Sequence, residues 1–203
     1  MCAGLELPPS RANMGGMTRS STSIKCIVTA FFVTVGFSAP CIAQDQARLA
    51  ELYEQLSAAE EGGYERIERQ IYDEWGKSGS AAMDLLVRRG RDALDARDHD
   101  AAVDHFSALV DHAPDFAEGY AGRATAYFHE GQYGLAIDDL REVLNRDPNH
   151  YVAITGLAVI LEDLGRNQDA LDGYREVLRI HPNQPEVLVG VERLEALLEG
   201  QAL

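Results

Sequence analysis

Arg88 and Arg91 stand one helical turn apart and could together hold a carboxylate, work for which paired guanidinium groups are suited. Asp84, Asp92 and Asp95 lie in the same stretch and offer both arginines partners on their own helix, so the two readings stay open. His105 and His112, beside Asp104 and Asp111, share a helical face but lack the ligand spacing of a zinc site, and are read as surface histidines. Gly76-Lys77-Ser78 imitates the end of a phosphate-binding loop, yet Ile71 stands where its first glycine belongs and no strand precedes it. His129-Glu130 opens like a metalloprotease helix, with Tyr133 in place of the second histidine. Asp95, Asp98 and Asp100 suggest a calcium loop until its sixth and twelfth places, Gly and Glu, turn out to be Asp100 and Phe106. No Gly-x-Ser-x-Gly occurs. The expectation is a chain without catalytic groups, metal or cofactor.

The elements that would position these side chains repeat. Ala102, Ala136 and Ala170 are 34 residues apart, as are Pro114, Pro148 and Pro182. Phe106, Leu140 and Tyr174 follow the same step, with Leu109, Val143 and Val177, and with the small residues Gly90, Ala124 and Ala158. One frame holds all five series, giving units at 83–116, 117–150 and 151–184. Within each unit the apolar positions recur at helical spacing: Leu86 and Leu94, Tyr120 and Tyr127, Ile154 and Leu161. Gly131 and Gly165 fall where a first helix must end in a left-handed cap, and Arg97 takes that place in the first unit, which implies either strain or a different turn. Each Pro ends a second helix. Asp115, Asn149 and Asn183 are then expected to cap the next one, with Asp115 and Glu118 as a capping box.

On these residues the chain resembles the tetratricopeptide repeat family, whose unit is a pair of antiparallel helices. The fold implied is all-α: a right-handed α-solenoid of three helix pairs. Residues 44–82, with stripes Leu49, Leu52, Tyr53, Leu56 and Tyr64, Ile67, Ile71, Trp75 separated by Gly62-Gly63, are expected as a degenerate N-terminal cap ending in a 76–80 linker. Residues 185–203 carry a closing helix with Val187, Leu188, Val191, Leu194, Leu197 and Leu198 inward. The resemblance implies a concave groove lined by the first helices, placing Arg88, Arg91, Thr125, Phe128, His129, Thr155 and Val159 as partner-binding candidates. Ala121, Gly122 and Gly156 would leave open floor there. The Lys and Asn clamp of the family's chaperone-binding subgroup is missing.

Ahead of the repeats, Arg19 and Lys25 flank the apolar run Ile27 to Phe37, and Cys41-Ile42-Ala43 follows Pro40. That order reads as a signal peptide over 1–43, its start at Met1, Met14 or Met17, cleaved after Ala43. An uncleaved anchor and a lipid-modified Cys41 are the rival readings. The remainder would hold no cysteine and 15 Lys and Arg against 32 Asp and Glu, suited to an oxidising compartment such as a bacterial periplasm. The full chain has 203 residues and a formal net charge of -15, which argues against nucleic acid or anionic lipid as partner. The expected function is therefore a periplasmic adaptor holding a protein or peptide in its concave groove, without stable membrane insertion. Self-assembly, with weak self-association, is the alternative, and a histidine-based metal or enzymatic module the third.

Overall fold

The computed structural model describes residues 40–60 and 62–201. Expectations for residues 1–39, including the apolar run and the internal start sites, lie outside the described residues. Among those described there are nine α-helices and no strand: α1 (Pro40–Ser57), α2 (Tyr64–Trp75), α3 (Ala81–Asp95), α4 (His99–His112), α5 (Ala117–His129), α6 (Tyr133–Arg146), α7 (Tyr151–Asp163), α8 (Asn167–Ile180) and α9 (Pro185–Gln201). No described helix is long and apolar enough to cross a membrane.

Helices α3 to α8 form three antiparallel pairs stacked in order, and α9 packs on α8. The first helices meet one another directly, α3 on α5 and α5 on α7, which puts them on the inner side of the array. The period shows in the turns. Gly131 and Gly165 have φ of 71° and 74°, and Arg97 adopts the same left-handed turn at 59°. Each is closed by the same pair of bonds, Gln132 N–H to Tyr127 and Gly131 N–H to Phe128 in the second unit, and their equivalents in the others, at 2.8–2.9 Å. Arg97 takes this conformation despite its Cβ. Arg97→Gly is therefore expected to raise stability by about 0.5–1 kcal/mol, read as a higher melting temperature, since relief of the left-handed strain exceeds the added freedom of the unfolded chain.

The helix starts differ from expectation by one residue. α5 and α7 are capped at Phe116 and His150, not at Asp115 and Asn149, and α9 begins at Pro185. The bonds from Phe116 N–H to Ala113, His150 N–H to Asp147 and Gln184 N–H to His181 close a turn over each Pro and its neighbour, which holds the Asp or Asn outside the helix. At α7 the cap is an imidazole: His150 Nδ1 accepts from Ala153 N–H at 3.1 Å. Asn183 instead donates to Ala59 O at 2.7 Å, and Glu118 pairs with Arg91 rather than forming a box.

Residues 44–82 were expected in front of the first unit. In the structure α1 and α2 pack on each other and on the third unit: Leu52, Leu56, Ile67, Ile71 and Trp75 share one core with Tyr151, Ile154, Tyr174, Val177 and Val187. The core of the first unit, around Val87, Phe106 and Leu109, contains no residue of α1 or α2. The reason lies in what each unit offers. At the start of the third unit stand His150 and Tyr151, and at its end His181, all buried. The equivalent places in the first unit are Ala82, Met83 and Ala113, none of which offers an aromatic helix a ring to stack upon. The closing helix also departs in part: Val187 and Leu194 are buried, while Leu188 and Leu197 are exposed.

Candidate functional site

Tyr53, Trp75 and Asp147 form a latch between the N-terminal pair and the array. Trp75 Nε1 lies 3.1 Å from both the Tyr53 hydroxyl and Asp147 Oδ2, and the Tyr53 hydroxyl donates to the same carboxylate. The Trp75 ring stacks on His150, with centroids 3.8 Å apart and planes 8° apart. A second latch joins Glu68 Oε1 to buried His181 Nε2 at 3.0 Å, with the Tyr64 ring against the same imidazole. These contacts hold α2 over the inner face of the third unit.

Burial pushes the His150 imidazole down to about 4, against a smaller upward pull from Asp147. The folded protein therefore keeps His150 neutral where an exposed imidazole, with its ordinary value near ~6.5, takes up a proton. The unfolded state binds more protons in that window, so stability falls as pH drops from about 6.5 towards 4, by about 3 kcal/mol when the window is crossed. His150→Asn keeps a capping acceptor and removes the titration. Its melting temperature is expected to depend less steeply on pH over that range than that of the native chain.

Between α2 and the inner face lies a cavity of about 370 Å³. Its floor is apolar: Ala121, Gly122, Phe128, Gly156 and Val159, with the hydroxyls of Thr125 and Thr155 tied to the carbonyls of Ala121 and Tyr151. Tyr72 and Trp75 wall one side. At the mouth Arg91 Nη2 meets Glu118 Oε1 at 2.6 Å, and burial raises the Glu118 carboxyl above its ordinary value although Arg91 opposes the shift. A second cavity of about 450 Å³ shares Tyr72, Val152 and Thr155 with the first and is lined further by Tyr64, Glu65, Glu68, Gln184, Pro185 and Glu186.

Of the candidate residues, the first cavity brings together Arg91, Thr125, Phe128, Thr155 and Val159. Arg88 is exposed on α3 away from it, and His129 is exposed with its ring against His99 at 5.0 Å. Sequence reasoning missed Tyr72, which lies off the buried stripe of α2 and is 46% exposed. It also took Gly122 for open floor alone. A Cβ there would come within 2.2 Å of the Phe106 ring, so this glycine chiefly receives a core side chain from beneath. The signal was present: Gly122, Gly156 and Gly190 are themselves 34 residues apart and face Phe106, Leu140 and Tyr174.

Two tetratricopeptide repeat models match the chain, over residues 87–151 and 127–194. A TPR repeat-containing protein of Rhizobium etli is 33% identical over 108 residues, and the match covers 53% of each chain, so this chain spans about half the length of that relative. Among solved structures, the Sgt2 TPR domain of Aspergillus fumigatus superposes with a TM-score of 0.56 at 22% identity, covering 61% of this chain and 83% of that one. The first TPR of Spaghetti (RPAP3), bound to an HSP90 peptide, gives 0.55 at 20%, covering 58% and 93%. The TPR2B domain of yeast Sti1, in complex with an Hsp70 peptide, gives 0.54 at 19%, covering 58% and 99%. At these identities the structures speak for the fold alone. The stacked helix pairs, their left-handed turns and the models matched across all three units carry one conclusion: the chain belongs to the tetratricopeptide repeat family.

Proposed function

We propose that this protein is a non-catalytic adaptor of the bacterial cell envelope that holds a peptide segment of a partner protein on its concave face. The observation that carries this reading is the apolar-floored cavity on the inner side of α5 and α7, whose threonine hydroxyls are already satisfied by backbone and so favour an apolar guest. The peptide complexes of similar domains support a peptide as the guest. The export reading rests on the apolar run behind Arg19 and Lys25, and on a cysteine-free chain after Ala43.

A photo-crosslinking side chain at Thr125 is expected to capture a discrete partner in cells, and one at Arg141, exposed on α6, is expected to capture none. Val159→Trp should abolish the Thr125 product by filling the cavity. Equal capture from both positions, or capture untouched by Val159→Trp, would overturn the groove assignment. Fusion of the full chain to alkaline phosphatase tests the compartment separately: activity is expected, and an inactive but intact fusion would sink the envelope reading. Self-assembly is a second reading, favoured by Leu188, Val189 and Leu197, each exposed on α9. Light scattering that rises with concentration and is lost in Val189→Glu would support it.

A further inference from the structure

The two cavities differ in chemistry while sharing a wall. The first has an apolar floor and the aromatic side chains Tyr72 and Trp75. The second, reached across Tyr72, Val152 and Thr155, presents Glu65, Glu68 and Glu186, and no basic residue lines it. Glu65 and Glu186 are exposed, whereas Glu68 is engaged with His181. Two of the three carboxylates come from α2 and one from α9, so most of this charge is present because α2 lies over the inner face. Resting on the adaptor reading above, we propose that the groove recognises a peptide in which a large apolar side chain is flanked by Lys or Arg: the apolar side chain fills the first cavity and the cation is held by Glu65 and Glu186 in the second. Helix α2 is then half of the binding site, supplying an aromatic wall and a carboxylate. The net charge of -15 for the whole chain draws cationic segments towards it from a distance.

Fluorescein-labelled hexapeptides test this on the full chain by polarisation. Lys-Lys-Trp-Leu-Lys-Lys is expected to bind about tenfold more tightly than Glu-Glu-Trp-Leu-Glu-Glu or Lys-Lys-Gly-Ser-Lys-Lys at low salt, with the charge preference shrinking as salt is raised. Thr125→Trp, at an exposed position, should remove binding of both Trp peptides. Glu65→Lys with Glu186→Lys, two exposed side chains, should sharply reduce the preference for Lys over Glu while leaving the Trp requirement. If the two Trp peptides bind equally, or the preference is undiminished by the double substitution, the basic-peptide assignment is wrong and the adaptor reading stands. If Thr125→Trp changes nothing although Trp peptides bind, the groove itself is wrong. Failure of the Lys-Trp peptide to bind at any concentration overturns the proposal, and the crosslinks at Thr125 then judge the adaptor reading alone.

Discussion

Gly122→Ala is expected to cost about 3 kcal/mol, a fall in melting temperature of about 6–12 °C for a chain of this size. A Cβ built there meets three atoms of the Phe106 ring at 2.2, 2.3 and 2.6 Å, and that ring has no slack because Gly90, on its other side, would clash with it at 2.6–2.8 Å. Phe106 is fully buried where α4 passes under α3 and α5, so neither the ring nor two helix backbones can yield cheaply. The repeat supplies internal controls. At Gly190 the nearest ring atom of Tyr174 is 3.1 Å from the added Cβ, and at Gly156 the methyls of Leu140 are 3.6 Å away. Gly190→Ala should therefore cost little, and Gly156→Ala should be neutral or stabilising by up to about 1 kcal/mol, since alanine favours the helix. The order 122, then 190, then 156 is the prediction, measured by thermal or urea unfolding. Phe106→Leu should suppress much of the Gly122→Ala defect, with a coupling of about 1–2 kcal/mol. Equal losses at all three glycines would mean that packing against residues 106, 140 and 174 is not what these positions serve.

This gradation shows where the sequence was legible. Periodic signals carried the helix pairs, the left-handed turns at Gly131 and Gly165, and the departure at Arg97, because each is a local demand repeated every 34 residues. The family and the all-α stacking followed from them. The placement of α1 and α2 did not, since it depends on contacts between residues 53 and 147, 68 and 181, and 59 and 183. An amphipathic helix pair declares that it must bury a stripe and says nothing about which surface will receive it. The cap positions were misread for a related reason. Asp and Asn after Pro are good caps in isolation, but the turn closed by the bond from residue 150 to residue 147 shifts the helix start onto His150. At the candidate site the first-helix contributions Thr125, Phe128, Thr155 and Val159 were implied by the resemblance to the repeat family. Tyr72 and Trp75 reach the same cavity by tertiary docking alone.

Trp75→Ala is expected to release α1 and α2 from the array while leaving the first two units folded. The substitution empties a site that is 7% exposed, removes the stack on His150, and leaves the Tyr53 and Asp147 latch without the indole N–H. Truncating a buried tryptophan costs about 3–5 kcal/mol. The loss falls on a seam held by few elements, whereas the cores around Phe106 and around Leu140 contain no residue of α1 or α2. Hydrogen exchange should therefore speed up by about 100-fold or more across residues 64–75, with the amides of α5 and α6 unchanged. Asp147→Asn, which retains the stack and weakens only the polar half of the latch, should produce a smaller change of about 1–2 kcal/mol. If exchange instead accelerates uniformly, the helix pair is cooperative with the whole solenoid and is not a docked appendage. Undocking also takes Tyr72, Glu65 and Glu68 away from the inner face, so a Trp75→Ala chain that keeps its stacked pairs should lose the preference for a basic peptide while retaining the apolar floor formed by α5 and α7.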